Sequence, residues 1–456
     1  MIACLACLLS FSSCAKHKIN NSTISGPWLM TFSTSGTGDL QVLMHFDVST
    51  QNADTIIEAY TKKNTDRLIL GFWKSELARC FGHFKHGSLL RITKGRITNA
   101  DSLKGVLVTP FGNFYIETKV TNGSMTGVLK DGKRNIQGYV SAKQGLPNLP
   151  IRDYNMILNK AIAVTGNKLY DPSLLKSEEW NSFIQKMRKV CNVTQDDAAF
   201  IIAFFYYEKK LPFTHFALYR KADEKSADAE GNEKYVQLEE KTPQTIYMKI
   251  SSFSGSASEM DSAFIYVCKK GYTHLIVDLR DNPGGSVEAG MAFARHLVQD
   301  TIYGGVFLTQ KYFAAHTDLP PVSAYNSFLH FTEANYDLLE KGISEYPAIC
   351  LQAIPQTPVF KGKIDILINK NTASTCEPII YTLKQHHLAR LVGERSAGAM
   401  LNGEFFDVAD GYRLFLPTAT YYTSDGFKID KHGVTPNVEV KKGDALKYVL
   451  DEGVVK

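Results

Sequence analysis

The stretch Leu367–Glu377, LINKNTASTCE, decides how the rest of the chain is read. It follows from KIDILIN (363–369), an apolar run that predicts a buried strand. That run breaks at Asn369 and Asn371 and passes into a turn of small residues. Glu377 and Pro378 then open PIIYTLKQHHL, which predicts a helix with proline in its first turn. Ser374 is therefore expected on a strand-to-helix turn, beside free backbone N–H groups that stabilise an anion. A nucleophile for acyl transfer belongs in that place. An ordinary Ser/Thr helix cap is the alternative on this segment alone.

The same alternation surrounds it. TIYMKISSF, ASEMDSAFIYVCKKG, THLIVDLR (273–280), SVEAGMAFARHLVQ and ARLVGE (389–394) read as strand, helix, strand, helix and strand. Such alternation from Thr242 onward predicts an α/β domain with a mainly parallel sheet, residues 242–456. Ligands of these sheets sit beyond the strand C-termini, where both Ser374 and DLRDNPGG (278–285) fall. Gly284 and Gly285 lack a Cβ and precede a helix. They suit an oxyanion hole, or a tight turn needing positive φ. Asp278 and Arg280 are expected to fix the strand end as an ion pair.

Upstream the pattern changes. Residues 26–145 alternate apolar and polar residues between Gly, Asn and Asp turns, and RLILGFW (67–73) reads as one of the strands. This segment predicts an all-β sandwich or barrel. DYNMILNKAIAV, SEEWNSFIQKMRKVC and TQDDAAFIIAFFYYEKK carry helical spacing, so 146–220 predicts a helical subdomain with Ser177 and Thr194 as N-caps. Residues 221–241 are polar and read as an exposed loop. The region Tyr303–Phe360 is aromatic-rich and reads either as a lid or as a packing insert.

At the N-terminus, IACLACLLSF (2–11) has the length of a signal-peptide core and is too short to span a bilayer. Ser12 and Ser13 precede Cys14. The order resembles a bacterial lipoprotein signal, with 1–13 removed, Cys14 lipidated and 14–25 a linker. This implies a cell-envelope location, with the membrane contacted through a lipid anchor only, or secretion if Cys14 is not lipidated. With Cys4, Cys7 and Cys14 set aside, the other five of the eight cysteines are scattered, without zinc or disulfide spacing. The chain has 456 residues, a net charge of +5 and no dense basic run, which gives no reason to expect nucleic acid. No metal, nucleotide or redox cofactor is expected.

Strand–DLRDNPGG–helix, then NTASTCE and LVGERSAG, resembles the C-terminal processing (tail-specific) serine peptidases and their tricorn-core relatives. The likeness covers about Leu211 to Val440 and implies a crotonase-like α/β catalytic domain. It implies a serine endopeptidase acting on peptide or protein substrates through an acyl-enzyme, with Ser374 as nucleophile. The Lys that serves as base in the processing branch is replaced by Ala399, and alanine cannot take a proton. The tricorn-like branch implies a Ser-His-acid arrangement, placing His215 of Thr214-His215-Phe216 as base and Asp430 as acid, before Gly433-Val434-Thr435-Pro436-Asn437. The oxyanion hole is then expected from Gly284, Gly285 and Thr375. The stretch between Arg220 and Tyr247 is too short for the family's PDZ module. His432 rivals His215, and Cys376 is a minor rival nucleophile. Two other functions stay open: an inactive relative that binds peptides, and a lipoprotein whose β domain binds a glycan or protein.

Overall fold

The computed structural model describes residues 24–452 apart from 35–36, 52–53, 82–83, 99–100, 222–233, 334 and 442. The signal peptide, Cys14 and most of both the linker 14–25 and the expected loop 221–241 lie outside the described residues. The chain divides into two compact units.

The first unit is a closed barrel of eight strands, from Gly26–Thr34 to Ile136–Gln144. Each strand pairs antiparallel with the next, and the first pairs with the last, Met30 opposite Ala142. Closure leaves no edge for another chain to join. Trp28, Met30 and Phe32, then Val42, Met44 and Phe46, are buried at every second position, the period a strand imposes on one face. RLILGFW is not a strand. It lies in helices Thr65–Leu70 and Phe72–Cys80, separated by Gly71 at φ 79. Three consecutive apolar residues without alternation suit either element. Here Arg79 clamps the pair of helices by bonding both carboxylate oxygens of buried Asp66, at 2.7 and 2.6 Å.

The expected helices form as Tyr154–Lys168, Glu178–Cys191 and Asp197–Glu208. Val190–Ala203 groups with the barrel unit, and Asn155–Lys189 and Phe204–Tyr219 with the α/β unit. Ser177 Oγ accepts the Trp180 N–H at 3.1 Å, as a cap should. Thr194 does not cap its helix. Asp196 Oδ1 takes the Ala199 N–H at 3.2 Å, and the carboxylate is the stronger acceptor.

The second unit holds two sheets. In one, Val236–Thr242, Thr245–Ile250, His274–Asp278, Lys363–Ile368, Arg390–Gly393 and Val438–Glu439 lie side by side. The first pair is antiparallel and the rest are parallel. Val236–Thr242 thus extends the sheet into part of the segment read as loop, and its charged sequence, VQLEEKT, suits an edge strand. In the other sheet, Leu329–Phe331, Ala348–Ala353, Ile302–Thr309, Tyr412–Thr423 and Leu401–Asp407 follow one another. The aromatic-rich region supplies three of these strands, with Tyr312 and Tyr325 buried beside them. None of the five cysteines of the described residues is in a disulfide, and Cys191, Cys350 and Cys376 are buried.

Asp365, fully buried in the parallel sheet, is met by His274 at 2.8 Å, Lys363 at 3.1 Å and Arg390 at 2.5 Å. Burial pushes its carboxyl up, but hydrogen bonds from those three side chains outweigh it and hold the pKa at about 2. A depressed carboxyl contributes stability above its unfolded pKa and loses it as pH falls toward the folded one. Asp365→Asn should therefore lower stability by roughly 2 kcal/mol near pH 7. The deficit should shrink between pH 4 and pH 2, as read from urea unfolding at each pH. A deficit that stays constant through that window would show that the charge is not the cause.

Candidate active site

Ser374 follows strand Lys363–Ile368 and precedes helix Cys376–Gln385, as its sequence suggests. It is half-buried and sits at φ +52, a left-handed conformation that costs a non-glycine residue energy. The neighbourhood over-determines that conformation. Thr372 Oγ1 donates to Leu279 O at 2.8 Å, and Ala373 N–H donates to Asn282 O at 3.0 Å. Asn369 and Asn371 both donate to the Asp281 carboxylate, at 3.0 and 2.7 Å. These bonds tie the serine turn to the DLRDNPGG turn.

That second turn lies against the nucleophile position. A Cβ on Gly284 would come within 2.7 Å of Ser374 Cβ, so only glycine fits there. Gly284 and Gly285 have φ values of +96 and +141. The Gly284 N–H is committed to Asn282 Oδ1 at 2.8 Å, an Asx turn within N-P-G. Its place in the expected oxyanion hole is therefore corrected, because a donor already bonded to a buried amide oxygen is not aimed at a ligand. The N–H groups of Gly285 and Thr375 carry no such bond among the described residues. Thr375 Oγ1 donates to Gly285 O at 2.7 Å and holds the two segments together.

Behind Ser374 lies Glu377, fully buried. Its carboxylate accepts from Ser396 Oγ at 2.6 Å, Gly398 N at 2.7 Å, Ala399 N at 2.8 Å and Ser374 N at 3.2 Å. Burial raises its pKa, opposed by those four hydrogen bonds. Ala399 O in turn accepts the Ser374 N–H at 3.0 Å, so the segment carrying Ala399 is bound to the elbow through its backbone. Glu377 lies in the first turn of its helix, where a carboxylate caps free N–H groups. The S-x-x-E spacing from Ser374 predicts a carboxylate reaching back to the serine N–H, but not the bonds to Ser396, Gly398 and Ala399.

The loop with Asp430 adjoins the same segment, since Lys431 N–H donates to Gly398 O at 2.7 Å. Asp430 is fully buried, and it does not bond His215 directly. Thr214 stands between them. Its hydroxyl donates to Asp430 Oδ1 at 2.5 Å, and its oxygen lies 2.9 Å from His215 Nδ1. A hydroxyl has one proton, so with that proton on the Asp430 bond the oxygen accepts from Nδ1–H. This network assigns the tautomer in which Nε2 carries the lone pair. Burial pulls the imidazole pKa down to about 4, so the ring is neutral near pH 7. Burial pushes the Asp430 carboxyl up, and the Thr214 hydrogen bond offsets part of that. Among the described residues no hydrogen bond joins Ser374 Oγ to the imidazole.

The rival groups are placed elsewhere. His432 Nδ1 lies 3.0 Å from the Asp430 backbone carbonyl, not its carboxylate. Cys376 is buried inside the helix start and burial pushes its thiol up, away from thiolate. Arg280 grips both oxygens of Asp278, at 2.8 and 2.6 Å, as an ion pair would.

Residues 244–440 match the model of peptidase family S41. A carboxyl-terminal-processing protease of Picosynechococcus sp. is 27% identical over 222 residues, 48% of this chain and 44% of that one. Its namesake in Synechocystis sp. is 27% identical over 198 residues, 43% and 38% of the two chains. The chain is similar to peptidase family S41 over residues 244–440, less than half of its length. It spans less than half the length of these curated relatives. A lipoprotein from Streptococcus agalactiae is similar in structure at 17% identity and a TM-score of 0.46, covering 68% of this chain and 98% of that one. Within the S41 region fall both turns, Glu377, Ala399 and Asp430. Thr214 and His215 lie before it.

Proposed function

We propose that this protein is a serine endopeptidase in which Ser374, His215 and Asp430 act together, with Thr214 relaying between the last two. The reading rests on one observation above all, the chain Asp430–Thr214–His215 that leaves Nε2 as the open base. A peptide carbonyl enters beside Ser374. Nε2 takes the hydroxyl proton as Oγ bonds the carbonyl carbon, and the oxyanion is held by the Gly285 and Thr375 N–H groups. His215 then gives its proton to the departing amine. Water, deprotonated in the same way, hydrolyses the acyl-enzyme and restores the serine. Side-chain motion closes Ser374 on the imidazole once substrate is bound, since such bonds tighten in the Michaelis complex. We place the enzyme in the bacterial cell envelope, lipid-anchored through Cys14, with peptides or proteins as substrates.

A serine-directed fluorophosphonate tests this reading. It should label Ser374, located by peptide mass spectrometry. His215→Ala should reduce labelling to background. Thr214→Val, which keeps the shape and removes the relay, should slow it by about 100-fold, the low end of what a positioned acid–base group contributes. Thr214→Ser should restore most of the rate. Absence of labelling in a folded wild-type chain favours the inactive, peptide-binding relative instead.

A further inference from the structure

The helical excursion between the third and fourth barrel strands carries an apolar face that no described residue of its own unit covers. Trp73, Leu77 and Phe81 recur at a spacing of four, which stacks them on one side of helix Phe72–Cys80. They are 83%, 61% and 75% exposed, and neighbouring Phe72 is 54% exposed. Ser75, on the other side of the helix, is fully buried. A helix normally turns such a stripe inward. Here the Asp66–Arg79 clamp holds it outward.

Charge selects the occupant. Residues 61–87 contain Lys62, Lys63, Arg67, Lys74, Arg79 and Lys85 against Asp66 and Glu76, a net +4. Both acidic groups are already paired with Arg79 and Arg67. Lys62 and Lys74 are exposed and carry no ion pair among the described residues. Exposed Trp and Phe bordered by unpaired lysines are the composition of a helix lying in the interface of an anionic bilayer.

Position agrees. Gly26 pairs with Phe46, while Tyr60 pairs with His45, the adjacent residue of the same strand. The barrel's first strand therefore begins at the rim from which the excursion leaves, about 10 Å away across two strand spacings. Residues 15–24 span at most about 35 Å. An N-terminus held at a membrane would present this rim to the lipid. No helix among the described residues is long and apolar enough to cross a membrane.

We infer that the face formed by Phe72, Trp73, Leu77 and Phe81 docks the barrel onto an anionic lipid surface. The docking is independent of lipidation and of proteolysis. The test uses the chain from Ala15 to Lys456, which keeps every described residue and lacks both the apolar leader and Cys14. It should sediment with vesicles of phosphatidylglycerol and phosphatidylcholine, and at least about tenfold less with phosphatidylcholine alone. The combined change Trp73→Ser, Leu77→Ser and Phe81→Ser should reduce binding by more than about tenfold, with an unchanged far-UV spectrum and unfolding midpoint. Lys62→Glu with Lys74→Glu should weaken binding and its salt dependence. Failure to bind anionic vesicles overturns the inference. So does binding that survives the triple change, or self-association that the triple change abolishes while vesicles are ignored, which would make the face a protein interface.

Discussion

Ser374→Ala should abolish peptide hydrolysis while leaving the protein folded. The two side chains share a Cβ, so the close approach of Gly284 and the left-handed turn at φ +52 are unchanged. Only the hydroxyl is lost, and it donates to nothing among the described residues. Turnover should fall by about 10⁵–10⁶-fold, the scale for removing a nucleophile that works as a unit with its base. The unfolding midpoint should move by less than about 0.5 kcal/mol equivalent, as for surface changes away from core features. The measurement is cleavage of an unstructured protein substrate, followed by mass spectrometry, beside a urea titration of each form. Turnover equal to wild type would remove Ser374 from the mechanism.

Glu377→Ala should have the largest effect on stability. It strips the acceptor from Ser374 N, Gly398 N, Ala399 N and Ser396 Oγ in a space closed to water. A buried donor left unsatisfied costs about 1–3 kcal/mol. Ser374 N retains Ala399 O, whereas the Ser396 hydroxyl proton loses its acceptor while its oxygen still accepts from Val434 N. The remaining penalty is about 4 kcal/mol, combining unpaired donors with the cavity left by the side chain. Glu377→Gln keeps the volume but presents an NH₂ where an oxygen accepted, and should cost about half as much. Activity should fall in both, since the elbow and the Ala399 segment lose their common anchor. Equal unfolding free energies for wild type and Glu377→Ala would show that the four bonds contribute nothing net.

The contrast between Glu377 and Thr214 shows how far local sequence reaches. S-x-x-E is a local pattern, and one of the four bonds made by Glu377 follows from it. The other three join residues 19 to 22 positions away, which no short spacing encodes. Thr214 bonds a carboxylate 216 residues later, and beside a histidine a threonine has no signature of its own. The committed Gly284 N–H is intermediate. N-P-G predicts an Asx turn, but the oxyanion reading weighed only what glycine permits, not what asparagine consumes.

The fold divides in the same way. Alternation marked the barrel strands because a strand buries one face with period two, as Trp28, Met30 and Phe32 do. It could not separate sandwich from barrel, since closure depends on the first strand meeting the last. RLILGFW was misread because Leu68, Ile69 and Leu70 form an apolar run with no period.

By itself, then, the order of residues determined the strand–turn–helix that exposes Ser374, the buried parallel strands beside it, and the likeness of residues 244–440 to a peptidase family. These follow from contacts within about a dozen positions, where backbone geometry converts pattern directly into shape. Tertiary structure alone decided that threonine stands between acid and imidazole, and that Glu377 binds the segment Ser396 to Ala399. Those bonds join residues 19 to 216 positions apart, and only packing brings such partners together.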